Sequence, residues 1–189
     1  MSSIELTSLK EKHNAQIQKV AEQSGVDASK CYQCGKCTAG CPVAFAMDYP
    51  PRAIIRFLQL GLLDRALQSK TIWLCAGCHT CSVRCPKEVD IASVMETLRI
   101  MAKKQGYIGD KNIDLFHNAF LKSVERNGRV YEAGLVLTRN LFGRQLFRDT
   151  AHGLPMVQKG KISMLPHSIK DNGEVKKIFE NVRKRGGSV

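Results

Sequence analysis

The 189-residue chain is long enough for one domain with extensions, and 43% of its residues are hydrophobic, which suffices for a packed core. Its longest apolar runs, such as residues 135–137, are far shorter than the roughly 20 residues that span a membrane, so we expect no membrane-spanning helix. The formal charge of +12 suits nucleic acid or an acidic protein partner. No zinc-finger or RNA-binding motif accompanies the basic residues, and we therefore expect no nucleic-acid function.

The N-terminal segment predicts an amphipathic helix over residues 4–23. Its apolar residues recur at helical spacing with His13 in the same phase. We therefore expect His13 at the core-facing edge of the helix and not as a metal ligand. No apolar secretory segment precedes the helix, and Glu5 and Glu11 lie there instead. This favours a cytoplasmic, reducing location.

All eight cysteines fall into two sets with the same spacing. Each set reads C-x2-C-x2-C-x3-C-P, and the second is the first displaced by 44 residues, from Cys31 to Cys75. This pattern is typical of proteins with two [4Fe–4S] clusters, in which the fourth cysteine of each set ligates the other cluster. The sets are Cys31, Cys34, Cys37 and Cys41, followed by Pro42, and Cys75, Cys78, Cys81 and Cys85, followed by Pro86.

The cysteine before each proline is expected to serve the neighbouring cluster, because an X–Pro step disfavours continued helix and turns the chain away. Two clusters with four thiolates each add about −2 apiece, so the loaded protein would have a charge of about +8. The predicted ligands are Cys31, Cys34, Cys37 and Cys85 for the first cluster, and Cys75, Cys78, Cys81 and Cys41 for the second.

Residues 42–74, which join the two sets, predict helix where small bacterial ferredoxins have strands. Pro50 and Pro51 mark a helix start. The apolar residues that follow have helical spacing, and Gly61 marks a bend or break.

Two side chains beside the second set are candidates for tuning its cluster. Trp73 is interpreted as an apolar cover that excludes water from the cluster, and His79 as a nearby residue that is not a ligand. The arginines at 52, 56 and 65 are expected to be solvated.

The residues after Pro86 predict further helices and no alternating strands, so the expected architecture is all-α. Asp90 is a suitable N-cap for the first of these helices, which ends at Gly106. The second stops at Asn127, and a third runs over residues 130–141. The residues predicted to be buried are Ile91, Val94, Met95, Leu98 and Met101 in the first helix, and Ile113, Phe116, Phe120 and Val124 in the second.

From Phe142 onward, glycines and prolines interrupt a basic segment that contains one short amphipathic helix. Such a helix cannot bury its apolar face alone. We favour an arm that wraps a partner protein, and the alternative is a helix packed back on its own domain. The predicted domains are an N-terminal helix at 1–29, an α-helical two-cluster domain at 30–141 and a C-terminal arm at 142–189.

The cysteine-rich region resembles the iron–sulfur C-subunits of heterodisulfide reductases, over about residues 25–141. The resemblance implies an α-helical ferredoxin-like fold with two [4Fe–4S] clusters. It also implies a hetero-oligomer in which this chain relays electrons from a flavin-bearing subunit to a disulfide-reducing one, or in the opposite direction. The eight cysteines carry over by position, and nothing catalytic does. The matching sequence is Cys31-Tyr32-Gln33-Cys34-Gly35-Lys36-Cys37-Thr38-Ala39-Gly40-Cys41-Pro42, with Ile72-Trp73-Leu74-Cys75 and Cys85-Pro86.

Other functions stay open at this point. The chain could be an iron–sulfur subunit of a flavin-dependent 2-hydroxyacid dehydrogenase or of a quinone-linked complex. It could also be a structural iron–sulfur protein, or a zinc-stapled module that binds nucleic acid. The sequence contains no nucleophile–base set, phosphate-binding glycine loop or flavin motif. We therefore predict an electron-transfer subunit without a catalytic site of its own.

Overall fold

The structure is a computed structural model that describes residues 6–142, 155–156, 158–161, 163 and 165–185. Throughout these ranges every regular element is a helix and no strand occurs, so the predicted all-α fold is confirmed. The contacts divide the chain into two compact units, Met1–Asp110 and Lys111–Val189. The domain boundaries predicted from composition, after residues 29 and 141, stay predictions.

Seven α-helices lie in the described part of the first unit. Two 3₁₀ turns, Ala28–Lys30 and Ala44–Ala46, precede and follow the first cysteine set. The helices are α1 Leu6–Ser24, α2 Lys36–Ala39, α3 Pro51–Gln59, α4 Leu63–Gln68, α5 Thr71–Leu74, α6 Thr80–Val83 and α7 Ile91–Lys104.

Helix α7 is the centre of the first unit, because α1, α4, α5 and α6 all pack against it. Its five predicted core residues are all buried, which confirms the predicted inner face. Each large aliphatic side chain enclosed in this way stabilises the fold by about 1.5–3 kcal/mol. The side chains outside α7 that are almost fully enclosed include Ile54, Ile55, Leu63, Leu67 and Ile72.

The ends of the core helices lie where the sequence predicts them. Helix α3 begins at Pro51 with Pro50 as its N-cap, and the chain turns at Gly61, whose φ of +76° is left-handed, before α4 begins. The Asp90 carboxylate accepts a hydrogen bond of 3.2 Å from the Ser93 N–H and so caps α7. Gly106, with φ +77°, follows the end of that helix.

His13 joins α1 to the turn between α3 and α4. The side chain is only 5% exposed, with Nδ1 3.1 Å from the Gly61 carbonyl oxygen and Nε2 3.2 Å from an Asp64 carboxylate oxygen. Both ring nitrogens therefore have partners, as a buried imidazole requires. The prediction that His13 lies on the core-facing edge of its helix is confirmed.

Replacement of His13 by alanine is expected to lower the apparent melting temperature of the cluster-loaded protein by about 4–8 °C. The change opens a cavity and leaves the Gly61 carbonyl unpaired, a cost of about 2 kcal/mol. Circular dichroism at 222 nm under anaerobic conditions measures the shift. The control is His167→Ala, at an exposed position in the second unit, and equal shifts in the two variants would contradict the role of His13.

The second unit, in its described residues, contains α8 Lys111–Asn127, α9 Glu132–Phe142 and α10 Asn172–Lys184. Helices α9 and α10 both pack against α8. The side chains of Phe116 and Phe120 were expected to be buried, but each is 38% exposed. Among the described residues, α8 has only two helical neighbours in its unit, which are too few to enclose its apolar face.

The C-terminal helix α10 folds back on its own unit. The Asn172 side chain donates to the Arg126 carbonyl oxygen at 2.5 Å, the Ile169 N–H donates to the Asn127 carbonyl oxygen at 3.1 Å, and Arg183 pairs with Glu125 at 2.7 Å. The structure thus has the second of the two predicted arrangements for this helix, and the favoured partner-wrapping arm is wrong for residues 169–184. Residues 143–154, the start of the predicted arm, lie outside the described residues.

No described helix combines the length and the apolar character that a membrane span requires.

Candidate iron–sulfur site

The two cysteine sets form loops with the same backbone conformation. The first has left-handed residues at Gln33 (φ +64°) and Gly35 (φ +83°), and the second has them 44 positions later, at Gly77 (φ +62°) and His79 (φ +56°). A short helix follows in each, α2 in the first and α6 in the second. Because non-glycine residues adopt this conformation at a cost of about 1–2 kcal/mol, the surrounding structure must hold Gln33 and His79 in place.

The first cysteine of each set is held by a side chain from a core helix. Gln59 of α3 donates to the Cys31 carbonyl oxygen at 2.7 Å and to the Ala28 carbonyl oxygen at 2.9 Å. Arg99 of α7 donates to the Cys75 carbonyl oxygen at 2.7 Å and to the Ile72 carbonyl oxygen at 2.7 Å. The entry to each loop is therefore fixed to the hydrophobic core.

Asp48 joins the end of the first loop to the helix that leads into the second. Its carboxylate accepts hydrogen bonds of 2.9 Å from the Lys70 and Thr71 N–H groups and of 2.7 Å from the Thr71 hydroxyl. Partial burial works against the charged form, but the hydrogen bonds from Thr71, Lys70 and Tyr49 outweigh it and lower the pKa of Asp48. The residue keeps the segment after Cys41 close to α5 and Cys75.

Replacement of Asp48 by alanine is expected to destabilise the loaded protein by about 2 kcal/mol and to lower its iron content. Three charge-assisted hydrogen bonds and the cap of α5 are lost together. Iron analysis and thermal unfolding measure both effects. Asp171→Ala is a suitable control, because Asp171 precedes α10 without a side-chain capping bond, and unchanged iron in the Asp48 variant would contradict its positioning role.

Thiols from both sets line one pocket. Its cysteines are the fourth of the first set, Cys41, and the first three of the second. The rest of the lining is largely apolar, with Val43, Met47, Pro51, Ala92 and Met95. Four thiols in a largely dry, apolar pocket fit the donor set of a [4Fe–4S] cluster. The four cysteines are Cys41, Cys75, Cys78 and Cys81.

Cys85 lies near the first set. Partial desolvation raises the pKa of the Tyr32 phenol, and the charges of the Cys34, Cys85 and Cys31 thiolates raise it further. These electrostatic effects require Cys85 to be a neighbour of the first loop. Cys37, the remaining thiol of that loop, is 7% exposed, and its burial raises its pKa.

Arg84 and Gly40 show how closely the two loops approach. They occupy equivalent positions, just before Cys85 and Cys41, and a β-carbon added to Gly40 would lie 2.7 Å from Nη1 of Arg84. Helices α2 and α6 are also in contact. Glycine is needed at position 40 because the Arg84 side chain crosses the backbone there.

Several sulfur atoms have hydrogen-bond partners, and such bonds help to set the reduction potential of a bound cluster. The Val89 N–H donates to Sγ of Cys85 at 3.3 Å, and the Gln33 amide donates to Sγ of Cys31 at 3.5 Å. The side chain and N–H of Thr80 lower the pKa of Cys78. These groups stabilise negative charge on the thiolates that would bind iron.

His79 and Trp73 occupy different surroundings. His79 borders the pocket, with 57% of its side chain exposed and Nδ1 3.7 Å from the Asp90 carboxylate. Trp73 is 3% exposed and is not among the residues that line the pocket. It packs where a β-carbon on Gly109 would lie 2.8 Å from its ring, and its role as a cover for the cluster stays a prediction.

A single metal ion has no site of three or more histidine, cysteine, aspartate or glutamate side chains in the described part of the chain. The thiols around the pocket are therefore spaced for a larger group than one ion. Arg52, Arg56 and Arg65 are exposed, as predicted.

Comparison with known proteins agrees with this chemistry. The 4Fe-4S dicluster domain family matches residues 27–89. The iron–sulfur C-subunit of the CoB–CoM heterodisulfide reductase of Methanopyrus kandleri is 41% identical over 87 residues, 46% of this chain and 45% of the relative. A corresponding iron–sulfur C-subunit of Methanocaldococcus jannaschii, the second of its kind in that organism, is 40% identical over 103 residues, 54% of this chain and 52% of the relative.

A third relative is the C-subunit of the H2:CoB–CoM heterodisulfide,ferredoxin reductase of Methanothermobacter marburgensis. It is 36% identical over 91 residues, 48% of this chain and 49% of the relative. The chain thus spans about half the length of these relatives. The predicted resemblance is confirmed: the chain carries a 4Fe-4S dicluster domain, binds two [4Fe–4S] clusters and is similar to the iron–sulfur C-subunits of heterodisulfide reductases.

Proposed function

We propose that this chain is an electron-transfer subunit of a heterodisulfide reductase-type complex. The observation that carries the proposal is the pocket in which Cys41 lies beside Cys75, Cys78 and Cys81. A thiol from one set in the pocket of the other makes the two sets a single interlocked unit. Bound [4Fe–4S] clusters supply one-electron transfer.

The crossed ligand assignment is part of this proposal. Cys85 completes the first set, supported by its electrostatic effect on Tyr32 beside Cys31 and Cys34. Cys41 completes the second set, supported by the shared pocket. The protein's own contribution is to hold the thiols through Gln59, Arg99 and Asp48, to exclude water with apolar residues, and to donate hydrogen bonds to sulfur.

The partners in the proposed complex are two further proteins, a flavin-bearing subunit, which we call the flavoprotein, plus a disulfide-reducing subunit, which we call the disulfide reductase. The chain passes electrons from the first to the second, and the chemistry at the disulfide belongs to the disulfide reductase. Thiolate-ligated iron favours a reducing compartment, so we place the complex in the cytoplasm. The similarity to the C-subunits of three heterodisulfide reductases supports this assignment.

The test is reconstitution of the three-protein complex with and without this chain. The flavoprotein is reduced through its flavin under anaerobic conditions, and reduction of the disulfide is followed. We expect disulfide reduction to require this chain with both clusters, while direct reduction of the disulfide reductase by a small viologen does not require it. Equal rates of flavin-driven disulfide reduction with and without the chain would refute the proposed relay.

A further inference from the structure

The most exposed large hydrophobic side chains of the first unit all lie in or next to the cysteine loops. In the described residues of that unit, only Phe45 (90%), Val83 (85%) and Tyr32 (58%) are more than half exposed. Tyr32 follows Cys31, Phe45 lies in the 3₁₀ turn after Pro42, and Val83 ends α6 two residues before Cys85. Exposure on this scale is costly in water and typically marks an interaction surface.

The charged residues around these side chains are mainly basic. Lys30, Lys36, Arg84 and Lys87 carry positive charge in the same loops. The exposed acidic residues there are Glu88 and Asp48, and the Asp48 carboxylate is engaged by Thr71 and Lys70. The rim of the surface therefore carries an excess of positive charge, which attracts an acidic partner.

The thiols also reach solvent in these loops. Cys34 and Cys78, the second cysteine of each set, are both exposed. A protein that docks over Tyr32, Phe45 and Val83 would approach the sulfur ligands closely. Apolar anchors within a charged rim are the usual anatomy of a protein–protein interface.

We propose that Tyr32, Phe45 and Val83, rimmed by Lys30, Lys36, Arg84 and Lys87, form the docking surface for a protein redox partner with an apolar patch surrounded by aspartate and glutamate. The inference rests on the proposed function and adds the surface and the chemistry of the partner. Nucleic acid would satisfy the lysines but would leave the aliphatic Val83 and the fully projecting Phe45 without a complementary contact. These apolar residues therefore favour a protein.

The apolar part of the surface is tested with the double variant Phe45→Ser/Val83→Ser. Leu137→Ser is the control, because Leu137 is 69% exposed and lies on α9 of the second unit. The probes are the flavoprotein and the disulfide reductase of the proposed complex, each titrated against the cluster-loaded chain, whose visible spectrum and iron content confirm that it is intact. We expect the double variant to bind one of the two probes at least tenfold more weakly and the control to bind both as the wild type does.

The charged part is tested without any partner protein. The reduced, loaded chain is reoxidised by Fe(III)–EDTA, an anion that takes one electron and becomes Fe(II)–EDTA, or by the cation hexaamminecobalt(III), which becomes cobalt(II). We expect Lys30→Glu/Lys87→Glu to slow the reaction with the anion about tenfold relative to the cation at low salt. The control Lys161→Glu/Lys177→Glu makes the same change of net charge at positions in the second unit and should leave the ratio unchanged.

The outcomes separate this inference from the proposed function. Binding of either probe that survives Phe45→Ser/Val83→Ser at wild-type strength, or an anion-to-cation ratio that is equal in the two lysine variants, overturns the docking surface. If the wild-type chain binds neither probe but shows the expected ratio, the proposed complex fails and the basic surface stands. Loss of binding to anionic phospholipid vesicles in the double variant, with binding of both probes intact, would overturn the protein partner in favour of a membrane.

Discussion

Replacement of Cys41 by alanine is expected to remove the second [4Fe–4S] cluster and to leave the first, so that iron falls from about eight to about four atoms per chain. Cys41 belongs to the first set in sequence, but it lines the pocket formed with Cys75, Cys78 and Cys81. A thiolate that is lost from this pocket leaves one iron without its protein ligand. Iron and acid-labile sulfide analysis of anaerobically purified protein measures the loss.

Double variants identify the cluster to which Cys41 belongs. If Cys41 and Cys78 ligate the same cluster, Cys41→Ala/Cys78→Ala retains about four irons, as each single variant does. In contrast, Cys41→Ala/Cys34→Ala removes a ligand from each cluster and is expected to lose nearly all iron. The reverse pattern, with four irons retained in the Cys41/Cys34 pair, would show that each set ligates its own cluster.

Replacement of Trp73 by alanine is expected to be the most destabilising change outside the cysteines. The side chain is 3% exposed and packs in the first unit beside Gly109 and the Ser69 carbonyl group. Truncation of a buried tryptophan costs about 3–5 kcal/mol, which lowers the melting temperature of a chain of this size by about 10 °C. Anaerobic thermal unfolding followed by circular dichroism measures the shift.

Trp73→Phe separates packing from hydrogen bonding. Among the described residues, Nε1 of Trp73 is buried without a hydrogen-bond partner. Phenylalanine keeps most of the apolar contact and removes an unsatisfied donor, so we expect a loss of at most about 1.5 kcal/mol. A phenylalanine variant as unstable as the alanine variant would contradict the packing role. A shift in cluster potential in both variants would support the predicted role as a cover.

The helices and the cofactor could be predicted because their signals are local. The proline pair before α3, the Asp90 cap and the glycine at 106 mark ends that depend only on neighbouring residues. The cysteine spacing likewise needs only a few consecutive residues to bring three thiols together. These features survive in the sequence whatever the tertiary packing.

The supports of the site could not be predicted, because they join residues that are far apart in the chain. Gln59 reaches back 28 residues to the Cys31 carbonyl oxygen, Arg99 reaches 24 residues to Cys75, and Asp48 reaches 23 residues to Thr71. An exposed-looking glutamine, arginine or aspartate has no periodicity that distinguishes such a contact. The partial exposure of Phe116 and Phe120 was missed for a related reason, since helical spacing shows which face is apolar but not what covers it.

The central claim is that this chain holds two redox-active [4Fe–4S] clusters close together. Iron and sulfide analysis of the anaerobically purified protein, combined with electron paramagnetic resonance after dithionite reduction, tests it most directly. We predict about eight irons and eight sulfides per chain, with the spectrum of two magnetically coupled S = 1/2 clusters. Two zinc ions per chain without iron, or iron that dithionite does not reduce, would contradict the electron-transfer account.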